Sequence, residues 1–136
     1  MRTRRTAATI LAATAGLLAA SGLASGTAAG AVTPAPININ AKCSGTSIAN
    51  LQVAREDTGK LSIDFGVDMV HHKAGVVWKA TVTDNTSTVF SGSVKTISDG
   101  SFSVTRLIMP RAGANKVTGK ATNLSTGETC TVTGTV

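Results

Sequence analysis

Apolar side chains fall at every second position from Leu61 to Met69, with Ser62, Asp64, Gly66 and Asp68 between them. A helix would spread those five apolar residues around its circumference, whereas a strand collects them on one side. The same alternation returns at Trp78, Ala80 and Val82, then at Phe90, Gly92 and Val94, and at Phe102 and Val104. Val117, Gly119 and Ala121 continue it, and Cys130, Val132 and Gly134 close it against Thr129, Thr131, Thr133 and Thr135. Threonine and valine, branched at Cβ, favour the extended chain. No segment shows a 3.6-residue apolar stripe.

Turn chemistry separates these runs at Glu56-Asp57-Thr58-Gly59, Asp84-Asn85-Thr86, Ser98-Asp99-Gly100, Pro110 to Asn115 and Ser125-Thr126-Gly127. Asp99-Gly100 is the sharpest of them and reads as a two-residue hairpin turn, which needs positive φ. Strand starts near residues 48, 60, 76, 88, 101, 116 and 129 predict about seven strands. Antiparallel strands with one polar face each predict an all-β, two-sheet sandwich. Phe65, Trp78, Phe90 and Phe102 all sit inside apolar patterns and are expected together in its core. Residues 32–42, with Pro34 and Pro36, read as an extended lead-in, and residues 43–136 as the sandwich.

Residues 1–31 have a different character. Arg2, Arg4 and Arg5 precede an apolar run from Ala7 to Ala20, and small residues follow up to Ala29-Gly30-Ala31. This is the order of a cleavable secretory signal peptide, with a cut after Ala31 releasing a chain that starts at Val32. The run is shorter than the ~20 residues a membrane-spanning helix requires, so no membrane span is expected. With no wall-sorting motif or second apolar segment behind the domain, free release outside the cell is the expectation.

The formal charge of +6 includes the three leader arginines. The remaining bases are scattered between seven acids, as a solubility feature rather than a nucleic-acid footprint. Nucleic-acid binding is not expected, because single strands also want stacking aromatics and the chain's few aromatics are assigned to the core.

Two cysteines remain, Cys43 and Cys130. In an oxidising exported setting they read as one disulfide joining the start of the domain to its last strand. No CxxC spacing or Cys/His set supports a metal or redox pair in their place.

Several segments resemble the second half of bacterial immunoglobulin-like domains. They are Val89-Phe90-Ser91-Gly92, Ser98-Asp99-Gly100-Ser101-Phe102-Ser103-Val104, Ala112-Gly113-Ala114-Asn115-Lys116-Val117, and Ala121-Thr122-Asn123 with Thr126-Gly127-Glu128. The likeness covers about the last fifty residues and lies in turn and core signatures, so it implies an immunoglobulin-like sandwich and no activity. A disulfide between the two ends is not part of the usual module. The alanine-rich leader and threonine-rich domain are also similar to small exported proteins of high-GC Gram-positive bacteria.

Candidate chemistry is sparse. Asp64 and Asp68 share a polar strand face, but four residues of strand separate them by about 13 Å, too far for paired glycosidase carboxylates. Gly45-Thr46-Ser47-Ile48-Ala49 lacks the closing glycine and the strand–turn–helix setting of a nucleophile elbow. His71 and His72, with Asp68 nearby, are the one candidate surface metal site, although neighbours on a strand point to opposite faces unless the chain turns there. A polar loop is the preferred reading of that segment. No catalytic residue and no cofactor is expected.

The expectation is therefore a secreted, monomeric, non-catalytic binding or structural module whose partner is an extracellular protein, a glycan or a small ligand. The alternative is a small-ligand carrier resembling the chromoprotein apoproteins of the same bacteria. A secreted hydrolase or inhibitor ranks behind both.

Overall fold

Phe65 from one sheet and Trp78 from the other, both wholly buried, pack on the ring of Phe102 inside a sandwich of eight antiparallel strands. The structure, a computed structural model, describes residues 34–136. The leader expected at residues 1–31 lies outside the described residues. The strands are β1 (Ile37–Lys42), β2 (Ile48–Arg55), β3 (Leu61–Asp68), β4 (Val77–Asp84), β5 (Ser87–Lys95), β6 (Ser101–Ile108), β7 (Lys116–Asn123) and β8 (Thr129–Thr135). One sheet has the order β1-β2-β3-β6 and the other β5-β4-β7-β8.

Period-two patterning fills the space between the sheets. Leu51, Val53, Leu61, Ile63 and Phe65 come from the first sheet and meet Trp78, Val82 and Val117 from the second. Phe102 stands edge-on to Phe65 with ring centroids 6.3 Å apart, and 5.9 Å from Trp78. Fully burying each such side chain contributes about 1.5–3 kcal/mol. Two inward glycines on the second sheet accept bulk from the first. The Phe65 ring lies over Gly119, and the ends of Ile37 and Ile39 lie over Gly134. Large residues opposite small ones let the layers interdigitate.

Three expectations need correction. The lead-in at 32–42 contains a strand, so there are eight strands rather than seven. Ile37 to Lys42 pairs residue for residue with Val53 to Ile48 of β2. Asparagine is poor in strands, but here the Asn50 side-chain amide donates to the side-chain oxygens of Asn38 at 2.8 Å and Asn40 at 2.7 Å.

Asp99-Gly100 is not a hairpin between paired strands, because β5 and β6 lie in different sheets. Gly100 does have positive φ, 83°. The turn carries the chain across the sandwich instead.

Phe90 is half-buried rather than enclosed with the other aromatics. It points inward, opposite Val82, but β5 and β6 are the outermost strands on the open side of the sandwich. There the Arg106 guanidinium caps its ring at 4.7 Å. A register shift beside Val82 adds a bulge to β5, which blunts that edge against pairing with another chain.

Candidate functional site

Four connections gather at one end of the sandwich: residues 43–47, 69–76, 96–100 and 124–128. The hydrogen bonds between them make that end a braced platform. Met69 donates its N–H to the Gly100 carbonyl at 3.1 Å, and His72 Nδ1–H donates to the Asp99 carbonyl at 2.7 Å. Gly100 packs so closely on the His72 backbone that a Cβ there would have no room. Buried Thr96 joins the same two loops. Its hydroxyl donates to the Lys73 carbonyl at 2.6 Å and accepts from the Val76 N–H at 2.9 Å.

The 124–128 turn is shaped from below by buried Asn123. Its side-chain oxygen accepts from Ser125 N–H at 2.9 Å and Ser125 Oγ–H at 2.7 Å. The 43–47 connection is tied to Glu128 and the start of β8 by a disulfide and several hydrogen bonds. Cys43 and Cys130 are disulfide-bonded, with Cα atoms 4.3 Å apart. Ser44 N–H donates to the Thr129 carbonyl at 2.8 Å. The Glu128 carboxylate accepts from Ser47 N–H at 2.8 Å and from Ser47 Oγ–H at 3.0 Å. The disulfide thus staples the end of β1, in one sheet, to β8 in the other.

Asp99 accepts from Ser101 Oγ–H at 2.6 Å and Ser101 N–H at 2.9 Å. These two donors, the hydroxyl first, hold its carboxyl below the usual aspartate range.

On this braced end the chain exposes aliphatic side chains: Val70 at 53%, Ile97 at 60% and Leu124 at 58%. Ile48, at the start of β2, is exposed at the same end. A concavity of about 480 Å³ opens beside Leu124, lined by Lys73 to Val77 and Ser125. A neighbouring one of about 400 Å³ lies between Ser44–Thr46 and Thr126–Glu128. Large apolar side chains left in water on rigid loops are the usual mark of a contact surface.

The sequence signal for this surface is a break in the alternation. Val70, Ile97 and Leu124 sit among turn residues, outside the period-two runs. That pattern identifies apolar residues with no core position to fill, but not that three loops far apart in sequence would meet.

The metal candidates have different fates. Asp68 ends β3 on the outer face of the first sheet. His72, with φ of 46°, is engaged with Asp99, and His71 is exposed beside it. Among the described residues no group of three or more His, Cys, Asp or Glu is placed to hold a metal ion. Asp64 lies on the same outer face as Asp68, opposite Gln52 and Thr105. Among the described residues no helix is long and apolar enough to cross a membrane.

Comparison of the chain with protein-family models, with curated proteins and with solved structures finds no match.

Proposed function

We propose that this chain is a secreted, non-catalytic binding module of immunoglobulin-like strand order, which grips an extracellular protein with its loop end. The observation that carries the reading is the exposure of Val70, Ile97 and Leu124 on three loops at the same end of the sandwich, with a concavity beside Leu124. Aliphatic knobs of this kind complement apolar pockets of a protein, whereas a sugar ring calls for an aromatic platform. The loops are held in shape before contact, which lowers the ordering cost of association.

Two further observations support the reading. Strands β3 and β6 pair in one sheet while their successors β4 and β7 pair in the other, an interlocked arrangement with Trp78 on a central strand. That is the core arrangement of immunoglobulin-like sandwiches. The extra strand β1 beside β2 and the staple between β1 and β8 are this chain's departures from it. Export is supported by the order of basic, apolar and small residues across 1–31, and by a disulfide, a bond characteristic of oxidising compartments.

Site-specific photo-cross-linking tests the contact. Probes at Val70, Ile97 or Leu124 in the secreted protein should capture one discrete protein partner, and a probe at Gln52 on a sheet face should not. Equal labelling from all four positions would remove the loop end as the site. N-terminal sequencing of the supernatant form should begin at Val32, and intact Met1 there would remove the export reading.

A small-ligand carrier is the second reading, favoured by the Val76, Val77 and Leu124 lining of the larger concavity. Native mass spectrometry of the secreted protein distinguishes it, because a carrier retains a bound mass.

A further inference from the structure

Folding sorts charges that are scattered along the chain. Asp64 and Asp68 both stand on the outer face of the first sheet. Lys79, Lys95, Lys116 and Lys120 all stand, exposed, on the outer face of the second. Among the described residues no carboxylate shares that second face: Asp84 is buried and Glu128 is turned onto Ser47.

Register places three of these lysines in a line. Lys95 on β5 is opposite Val77, and Lys79 lies two residues beyond Val77 on the same face of β4. Lys79 is opposite Thr122 of β7, two residues from Lys120. Each step is therefore a diagonal between adjacent strands, about 7–8 Å. Lys116 extends the track down β7, about 13 Å from Lys120.

Hydroxyls flank the ammonium groups on both sides. Lys79 lies between Ser93 and Thr122, and Lys120 between Thr81 and Thr131. Like charges at this spacing repel, and nothing on the face offsets them.

We infer that the outer face of the second sheet is a binding track for a linear anionic polysaccharide. A row of cations one step apart matches repeated charges on an extended polymer better than a single small anion. The interleaved threonine and serine hydroxyls donate to and accept from sugar hydroxyls. No aromatic stands on the face to stack a nucleobase, and the apolar side chain within the lysine row, Val77, is half-buried and does not project to enter a lipid surface. This surface adjoins the loop end at Val77 and Lys95 but runs away from it along β4 and β7, and separate variants test the two proposals independently.

The test titrates the secreted protein with polygalacturonate. Binding should weaken roughly twentyfold when NaCl rises from about 50 to 200 mM, as expected for about three neutralised charges. The double variant Lys79→Gln/Lys120→Gln should lose roughly tenfold in affinity at low salt. Lys79→Arg/Lys120→Arg should retain binding, which excludes misfolding as the cause. Lys42→Gln/Lys60→Gln removes the same charge elsewhere and should change affinity less than about twofold. A Val70→Ser/Leu124→Ser variant should bind polygalacturonate unchanged, even if it loses the protein partner.

No binding of polygalacturonate, or equal losses in the two glutamine pairs, would overturn the inference. So would tighter binding of duplex DNA, or of vesicles rich in anionic lipid, than of the polysaccharide.

Discussion

Glu128 holds Ser47 with both carboxylate oxygens, one on the backbone N–H at 2.8 Å and one on the hydroxyl at 3.0 Å. The carboxylate lies directly over Gly45, where any Cβ would meet it. One acid thus joins the β1–β2 connection to the β7–β8 turn, a short step from the disulfide. Glu128→Ala should destabilise the fold by about 1–2 kcal/mol, since it strands two donors that are only partly exposed to water. Urea unfolding measures this directly. The loss should exceed that of Glu128→Gln, which keeps one acceptor.

The Cys43–Cys130 bond closes a loop of 87 residues. On the chain-entropy model such a loop stabilises by about 4–5 kcal/mol. Reduction should therefore lower the melting temperature substantially while the strand signal at low temperature persists. Two thiols titrating in protein purified under oxidising conditions would remove the bond from the argument.

Gly119 owes its identity to Phe65, whose ring occupies the space a methyl group would need. The ring is enclosed and cannot swing away. Gly119→Ala should cost about 1–3 kcal/mol through overpacking. Adding Phe65→Leu should recover part of that loss, and a double-mutant cycle reads the coupling.

Trp78 is wholly buried, and its indole N–H finds no acceptor. Trp78→Ala should cost about 3–5 kcal/mol by leaving a cavity. Trp78→Phe should cost much less than its lost volume suggests, because it also removes a buried donor without a partner. Emission in the native state should be blue-shifted and resistant to iodide. Red-shifted, readily quenched emission would mark Trp78 as a surface residue instead.

Asp99 gives the loop end an acid limit. The Ser101 hydroxyl and N–H depress its pKa, so its hold on the turn is complete above the ordinary aspartate value of about 3.9 and fades as pH falls through the lower folded value. The Ser101 amide should be better protected from exchange, relative to its intrinsic rate, at neutral pH than in strong acid. Ser101→Ala should move the Asp99 titration, followed by NMR, back up toward the ordinary value.

Local patterning carries seven of the eight described strands and most turns. Those signals are local: side-chain alternation reports a half-buried strand, and Asn85 or Gly100 at positive φ reports a reversal. Strand starts at 48, 101, 116 and 129 are read directly from the chain. Trp78, Phe65 and Phe102 belong to the core because their runs admit no other burial.

What alternation cannot contain is which strand lies beside which. Pairing with β2 makes Ile37–Lys42 a strand, since its asparagines depend on Asn50. Only the assembled sheets left Phe90 at an open side under Arg106, although its local pattern matches that of a buried residue. The meeting of Val70, Ile97 and Leu124 at one end, and of four lysines on one face, follows from pairings between distant segments. A period of two says that a residue faces one side of its strand; the neighbours on that side are supplied by the rest of the chain.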